Sequence, residues 1–144
     1  MFSLKRAALS DSEVIRQIEK SASSKTYAAR TSLNQIAQYI SHDQVFLIRN
    51  NKETVGLVSF EVIRGKTAHC NGLVVLPQFR RQGFGLRAMR LVLKKMQAYP
   101  RVELVVHPHN SPAVSLYLSL GFIIESWVKN YFGDGQPRLV MVKK

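Results

Sequence analysis

Cysteine is nearly absent from this sequence: Cys70 is the only one, so no intramolecular disulfide framework can form. The residues from Met1 to Arg6 lack the apolar core of a secretory leader, and a reducing, cytoplasmic setting is the expectation. No apolar stretch approaches the roughly 20 residues needed to cross a bilayer, because Lys, Arg, Asp or Glu interrupts every candidate, and no membrane partner is expected. Proline and glycine, at five and eight residues, are too scarce for a fibrous or disordered chain. Acidic residues are scarce beside basic ones: nine Asp and Glu stand against 21 Lys and Arg, a formal net charge of +12. That imbalance favours acidic partners, whether nucleic acid, ribosome, an acidic protein surface or a polyphosphorylated small molecule, without choosing among them.

What is present is a 46% hydrophobic share in 144 residues, enough for one domain over 1–144 that buries roughly two-thirds of its unfolded surface. The spacing predicts a strand over Phe2–Ala7, then a helix capped by Ser10 or Asp11 and running to about Ser21. Its inward residues are Val14, Ile15 and Ile18, while Glu13, Arg16 and Lys20 face water. Ser32 and Gln35 form a capping-box pair that opens a second helix through Ile40, with Leu33, Ile36 and Ile40 on one face. Val45–Ile48, Val55–Ile63 and Thr67–Val75 read as an antiparallel meander, broken at Asn50-Asn51 and Arg64-Gly65. A long amphipathic helix from about Gly83 to Ala98, with Leu86, Met89, Val92, Leu93 and Met96 inward, precedes a strand Arg101–Val106. A helix Ser111–Leu120 follows, then two closing strands either side of Gly133-Asp134-Gly135. Strands alternating with helices in the second half predict an α/β fold with a mixed sheet, parallel in part and covered on its faces.

The strongest chemical signal lies where the third meander strand ends. Val75-Leu76-Pro77-Gln78-Phe79-Arg80-Arg81-Gln82-Gly83-Phe84-Gly85-Leu86 is a strand end, a loop with two close glycines, and a helix start. A helix start exposes unpaired N–H groups and the positive end of its dipole, and glycines let an anion approach the main chain. The spacing excludes a P-loop, which needs Gly-Lys-Ser/Thr, and the dinucleotide fingerprint, which needs three glycines.

At Arg80-Arg81-Gln82-Gly83-Phe84-Gly85 the chain resembles the GNAT superfamily of N-acetyltransferases, whose cofactor signature is Arg/Gln-x-x-Gly-x-Gly/Ala after a strand. Asn110-Ser111-Pro112-Ala113-Val114-Ser115-Leu116-Tyr117 with Gly121-Phe122 is similar to a second pattern of that family, in the expected order. The resemblance spans roughly Thr67 to Met141. It implies a mostly antiparallel sheet with a parallel, splayed pair in the middle and about four flanking helices. It also implies that Arg80, Arg81, Gln82, Gly83, Phe84, Gly85 and Leu86 cradle the pyrophosphate of acetyl-CoA. Leu73, Val74 and Val75 pair with the pantetheine arm, Asn110 contacts that arm, and Tyr117 is the general acid at the sulfur. Arg87 and Arg90 join Arg80 and Arg81 in a field suited to a polyanion.

The implied reaction is direct attack of a neutral amine on the thioester, which needs a base to take the amine's proton and a backbone N–H, that of Val75, for the oxyanion. The ribosomal-protein alanine acetyltransferase branch, which the chain looks most like through Asn110–Phe122 and Tyr131–Met141, has a glutamate five residues before the asparagine. Here that position is Val105. His69, on the strand leading to Val75, is the expected replacement; Glu61, Glu103, His107 and His109 are weaker candidates. No metal is expected, because His-x-His at 107 and 109 lacks further ligands. Cys70 reads as a core residue rather than a nucleophile. Tyr131 and Phe132 border the acceptor pocket by resemblance. The acceptor is an amine of a protein N-terminus, a lysine or a small metabolite, with an acidic or ribosome-associated partner in view and a monomer or homodimer as the assembly. A coenzyme A-binding regulator without turnover, or a basic nucleic-acid-binding module, are the rival readings.

Overall fold

Alternation of apolar residues fixes which side of each strand is buried, and in the computed structural model all the strands join one sheet. The structure describes residues 1–24, 27 and 29–143. Its strands are β1 (Phe2–Arg6), β2 (Gln44–Asn50), β3 (Glu53–Ile63), β4 (Thr67–Val75), β5 (Arg101–Val106), β6 (Phe122–Val128) and β7 (Arg138–Lys143). They lie in the order β1-β2-β3-β4-β5-β7-β6. Every neighbouring pair is antiparallel except β4 and β5. The helices are α1 (Ser12–Ala22), α2 (Leu33–His42), α3 (Phe84–Met96) and α4 (Ser111–Ser119).

The sheet has two covered faces. Val58, Phe60, Ala68, Cys70, Val102, Leu104 and Met141 pack with Ala88, Met89, Val92 and Met96 of α3. Val45, Leu47, Leu57 and Val74 pack on the other side with Ile15, Ile18, Ile36 and Ile40 of α1 and α2. Two expectations fail here. Val14 and Leu33 are 43% and 48% exposed, because the buried stripe of α1 runs through Ile15, Ile18 and Glu19 and that of α2 through Ile36, Tyr39 and Ile40. A glutamate occupies a core position on α1, and no hydrophobic period can reveal that. The predicted cap of α2 holds, with Ser32 Oγ accepting the Gln35 N–H at 3.0 Å, but Gln35 Oε1 reaches back to the Thr31 N–H instead of Ser32.

The functionally important irregularity is in β4. Ser59 pairs with Gly72 and Phe60 with Cys70, so Asn71 is the extra residue of a β-bulge. A bulge bends its strand and increases the local twist. The parallel pairing of β4 with β5 starts at Thr67↔Arg101 and stops at Cys70↔Leu104, immediately before the bulge, although both strands continue. Past that point β4 stays with β3 and leaves β5, which opens a gap between them. Gly56 is needed for β3 to follow: a Cβ there would lie 2.1 Å from the Val74 carbonyl oxygen.

Candidate active site

Two cavities meet at the gap between β4 and β5. One, of about 400 Å³, opens on the α1–α2 face and is walled by residues including His69, Val105, Tyr117 and Tyr131. The other, of about 470 Å³, runs beside the start of α3 and includes Leu73, Val74, Val75, Arg80 and Gly85 in its walls. Tyr27, Leu73, Asn110 and Ala113 line both, so the two spaces adjoin.

The second cavity is suited to a polyanion with an extended arm. The Leu76 N–H is given to the Val55 carbonyl at 2.8 Å, so strand alternation turns the N–H groups of Leu73 and Val75 toward the side that β5 has left. The Val75 carbonyl on that side accepts from Arg80 Nε at 3.0 Å, which ties the strand end to the loop. Arg81 and Gly83 both have left-handed backbones, at φ 65° and 80°. Gly83 caps α3, and the first helical bond is from the Arg87 N–H to the Gly83 carbonyl at 3.1 Å. The N–H groups of Phe84, Gly85 and Leu86 precede it and carry the positive end of the helix dipole. The side chain of Phe84 is buried, stacked on Phe2 at 5.8 Å, and Val74 is buried toward α1 and α2. For these two predicted residues only the main chain is available to a ligand. Arg87 lies over the Phe2 ring at 4.2 Å, and Arg81, Gln82, Arg87 and Arg90 are exposed around the turn.

Tyr117 reaches the first cavity from the α3–α4 side. Its ring is buried and meets Phe122 edge-on at 5.9 Å. No described residue accepts from or donates to its hydroxyl, yet no buried side-chain polar atom lacks a partner among the described residues. The hydroxyl is therefore on the cavity surface. Burial, and then the nearby Cys70, push the phenol well above its ordinary pKa. Cys70 itself is buried, with its thiol pushed up to about 11 by burial, which makes it the inert core residue the sequence implied.

His69 reaches the same cavity from the opposite face of the sheet. Its Nδ1 is 2.6 Å from Glu103 Oε2, which leaves Nε2 for the cavity. Glu103 Oε1 accepts from Arg101 Nε at 2.7 Å, and Arg101 makes a two-pronged pair with Glu125 of β6 at 2.6 and 3.0 Å. This relay crosses from β4 through β5 to β6 and holds the imidazole in one orientation. Glu103, considered from sequence as a base, is thus a hydrogen-bond partner that orients His69. Burial works to raise its carboxyl, but the hydrogen bonds from Arg101 and His69 outweigh it and hold the group below the usual carboxylate range. A carboxyl depressed on folding adds stability above its unfolded pKa and loses it as pH falls through the native value. Glu103→Gln is therefore expected to destabilise the protein at neutral pH. Its deficit against the parent should shrink to nothing in urea melts carried below the ordinary carboxylate range.

The remaining walls come from loops. Tyr131 and Phe132 meet edge-on at 4.7 Å in the β6–β7 connection and are 39% and 58% exposed. Arg138, buried and unforeseen from sequence, braces that loop through Asp134 at 2.9 Å and lies over Phe132 at 5.0 Å. His107 accepts the His109 N–H at Nδ1 and donates from Nε2 to Gln136. It ties two loops together and has no ring nitrogen left for catalysis. Asn110 caps α4 through Oδ1 to the Ala113 N–H at 3.4 Å. Tyr27 is on the cavity wall, whereas Tyr39 is buried and does not line it. Lys25, Thr26 and Ala28 lie outside the described residues.

Residues 12–122 match the Acetyltransferase (GNAT) family. An N-alpha-acetyltransferase of Sulfurisphaera tokodaii is 27% identical, over 97% of this chain and 91% of that protein. The ribosomal-protein-S18-alanine N-acetyltransferase from Escherichia coli has the same fold, with a TM-score of 0.82 at 21% identity over 99% of this chain and 93% of that one. A GNAT family acetyltransferase from Elizabethkingia anophelis with acetyl-CoA bound gives a TM-score of 0.70 at 20% identity, over 78% and 83% of the two chains.

Proposed function

Since this chain belongs to the acetyltransferase (GNAT) family, we propose that it transfers the acetyl group of acetyl-CoA to a primary amine by direct attack. The observation that carries this reading is the opening between β4 and β5, where His69 and Tyr117 reach one cavity from opposite faces of the sheet. The N–H groups of Phe84, Gly85 and Leu86, with Arg80 and Arg81 beside them, suit the pyrophosphate. The free edge at Leu73 and Val75 suits the amide-bearing arm, and Asn110 stands at the junction of the two cavities. Bound acetyl-CoA supplies an activated thioester carbonyl.

The chain's own residues supply proton handling and charge stabilisation. His69 Nε2 takes the proton from the incoming ammonium, with Nδ1–H held on Glu103 so that the free nitrogen is the accepting one. The Val75 N–H stabilises charge on the carbonyl oxygen, and the Tyr117 hydroxyl donates toward the departing sulfur. Val105 gives the cavity an apolar wall where the alanine acetyltransferase branch has a glutamate, so His69 alone carries the base role.

Release of coenzyme A thiol with a panel of amines and peptides tests this directly. Turnover is expected, and His69→Ala should lower kcat/KM by about 100-fold. Tight association with acetyl-CoA and no thiol release for any acceptor would instead favour the regulator, which the missing glutamate makes the second reading. A His69→Ala variant with the parent rate would remove His69 from the mechanism.

A further inference from the structure

Register extends the row of His69 across the sheet. Glu61 of β3 is paired with His69 of β4, and His69 with Glu103 of β5. All three alternate with core residues of the α3 face, so they stand side by side on the α1–α2 face. Gln44 pairs with Phe60, which puts Asp43, just before β2, next to Glu61 in the same row. The ligating atoms of His42, Asp43 and Glu61 lie within 4.8 Å of one another.

The charges in this row are not equally compensated. Arg30 and Arg138, which line the acceptor-side cavity, are neutralised by Glu19 and Asp134. Glu103 is paired with Arg101 and also accepts a hydrogen bond from His69 Nδ1. Asp43 holds His42 Nδ1 at 2.8 Å and the Asn71 amide at 2.8 Å. Glu61 is the one carboxylate on the cavity wall among the described residues, and it makes no hydrogen bond or ion pair with any of them. In a protein with 21 Lys and Arg against nine acidic residues, a carboxylate that has no ion pair among the described residues and stands beside the Asp43–His42 pair and the proposed base can serve as counter-ion to an incoming cation. Tyr131 lies across the same space, its phenol raised by burial and then by the charges of Glu103 and Glu61. An aromatic face beside a carboxylate is a good receptor for an organic cation.

We propose that Glu61 is a specificity-determining residue that receives a second positive charge on the acceptor, an ammonium or guanidinium group lying beyond the nitrogen that is acetylated. This rests on the acyl-transfer reading above. Strand spacing sets the reach: Glu61 is one strand, and Asp43 two strands, beyond His69, so the second cation stands about 5–10 Å from the base. That chemistry has two sources, a linear diamine or a peptide amino terminus followed by a lysine or arginine. The net positive charge of the protein opposes such an acceptor at long range, and the local row of carboxylates reverses the sign where the acceptor binds.

The test compares kcat/KM for matched acceptors: a linear diamine against the monoamine of equal length, and an Ala-Lys against an Ala-Leu amino-terminal peptide. The parent protein should prefer at least one dicationic member by about tenfold; which pair shows it identifies the source. The preference should weaken with added salt, persist in the presence of a chelator, fall toward unity in Glu61→Gln and be partly kept in Glu61→Asp. Thermal melting of both variants confirms that each is folded. Ratios near unity for both pairs in the parent, or an unchanged preference in Glu61→Gln, would overturn the assignment while monoamine turnover leaves the acyl-transfer reading standing. A preference seen only with an added divalent ion would overturn it in favour of a metal held by His42, Asp43 and Glu61. No thiol release with any of the amines would take down both.

Discussion

Tyr117→Phe is expected to lower kcat by at least about 100-fold while leaving acetyl-CoA affinity and thermal stability close to the parent values. The ring packs against Phe122 and inside the core on the α3 face, and phenylalanine keeps that packing. The lost hydroxyl has no partner among the described residues, so removing it strands no donor or acceptor and costs little on folding. A purely structural tyrosine would therefore give a variant with the parent rate. The raised phenol pKa refines the role. A thiol titrates near about 8.5, so complete transfer of the phenolic proton to sulfur is uphill. On the proposed mechanism the hydroxyl contributes a hydrogen bond that strengthens as charge builds on the leaving sulfur. Removing one such donor typically costs about 100- to 1,000-fold. Single-turnover thiol release, with calorimetry for acetyl-CoA, separates the rate effect from binding; a kcat within about threefold of the parent would end the assignment.

The legible parts of this site are those written in local spacing. Gly83 and Gly85 after a strand, and Asn110 seven residues before Tyr117, sit within single turns and helices, where a few residues determine backbone direction. The mixed sheet was legible for the same reason, through strands and helices that announce themselves by period. What escaped depends on contacts between distant elements. Nothing in the stretch between His69 and Glu103 states that the two are parallel neighbours, so Glu103 looked like an alternative base rather than a support for His69. The bulge at Asn71 arises from a one-residue mismatch between β3 and β4, and a sequence gives no register. Glu19 hid in a position that reads as solvent-facing, because its counter-charge arrives from a loop.

That counter-charge sets the second large effect. Arg30→Met is expected to destabilise the protein by about 3–5 kcal/mol. Glu19 is fully buried; its carboxylate accepts from Arg30 Nη1 at 2.7 Å and from the Tyr27 hydroxyl at 2.5 Å. Desolvating that charge is tolerable only with the guanidinium beside it, which also lies 3.6 Å above the Tyr39 ring. Methionine restores some volume and none of the charge. The consequence reaches the candidate site, because Arg30 Nη2 donates to the Asn71 carbonyl at 3.3 Å, the oxygen of the extra residue in the bulge. The bulge is further fixed by Ser59 to Asn71 Oδ1 at 2.6 Å and by Tyr39 to Ser59. Loosening it alters where β4 parts from β5, so KM for acetyl-CoA and for the acceptor should both rise at temperatures where the variant is still folded. The cause is identified by Glu19→Gln combined with Arg30→Met. If the buried unpaired charge is what costs, the double variant is more stable than Arg30→Met alone by at least about 1 kcal/mol, while the KM defect, which belongs to the bulge, remains. Urea midpoints for the parent, the two single variants and the double decide it. Additive losses would place Arg30 in the fold through its packing on Tyr39 rather than through its charge.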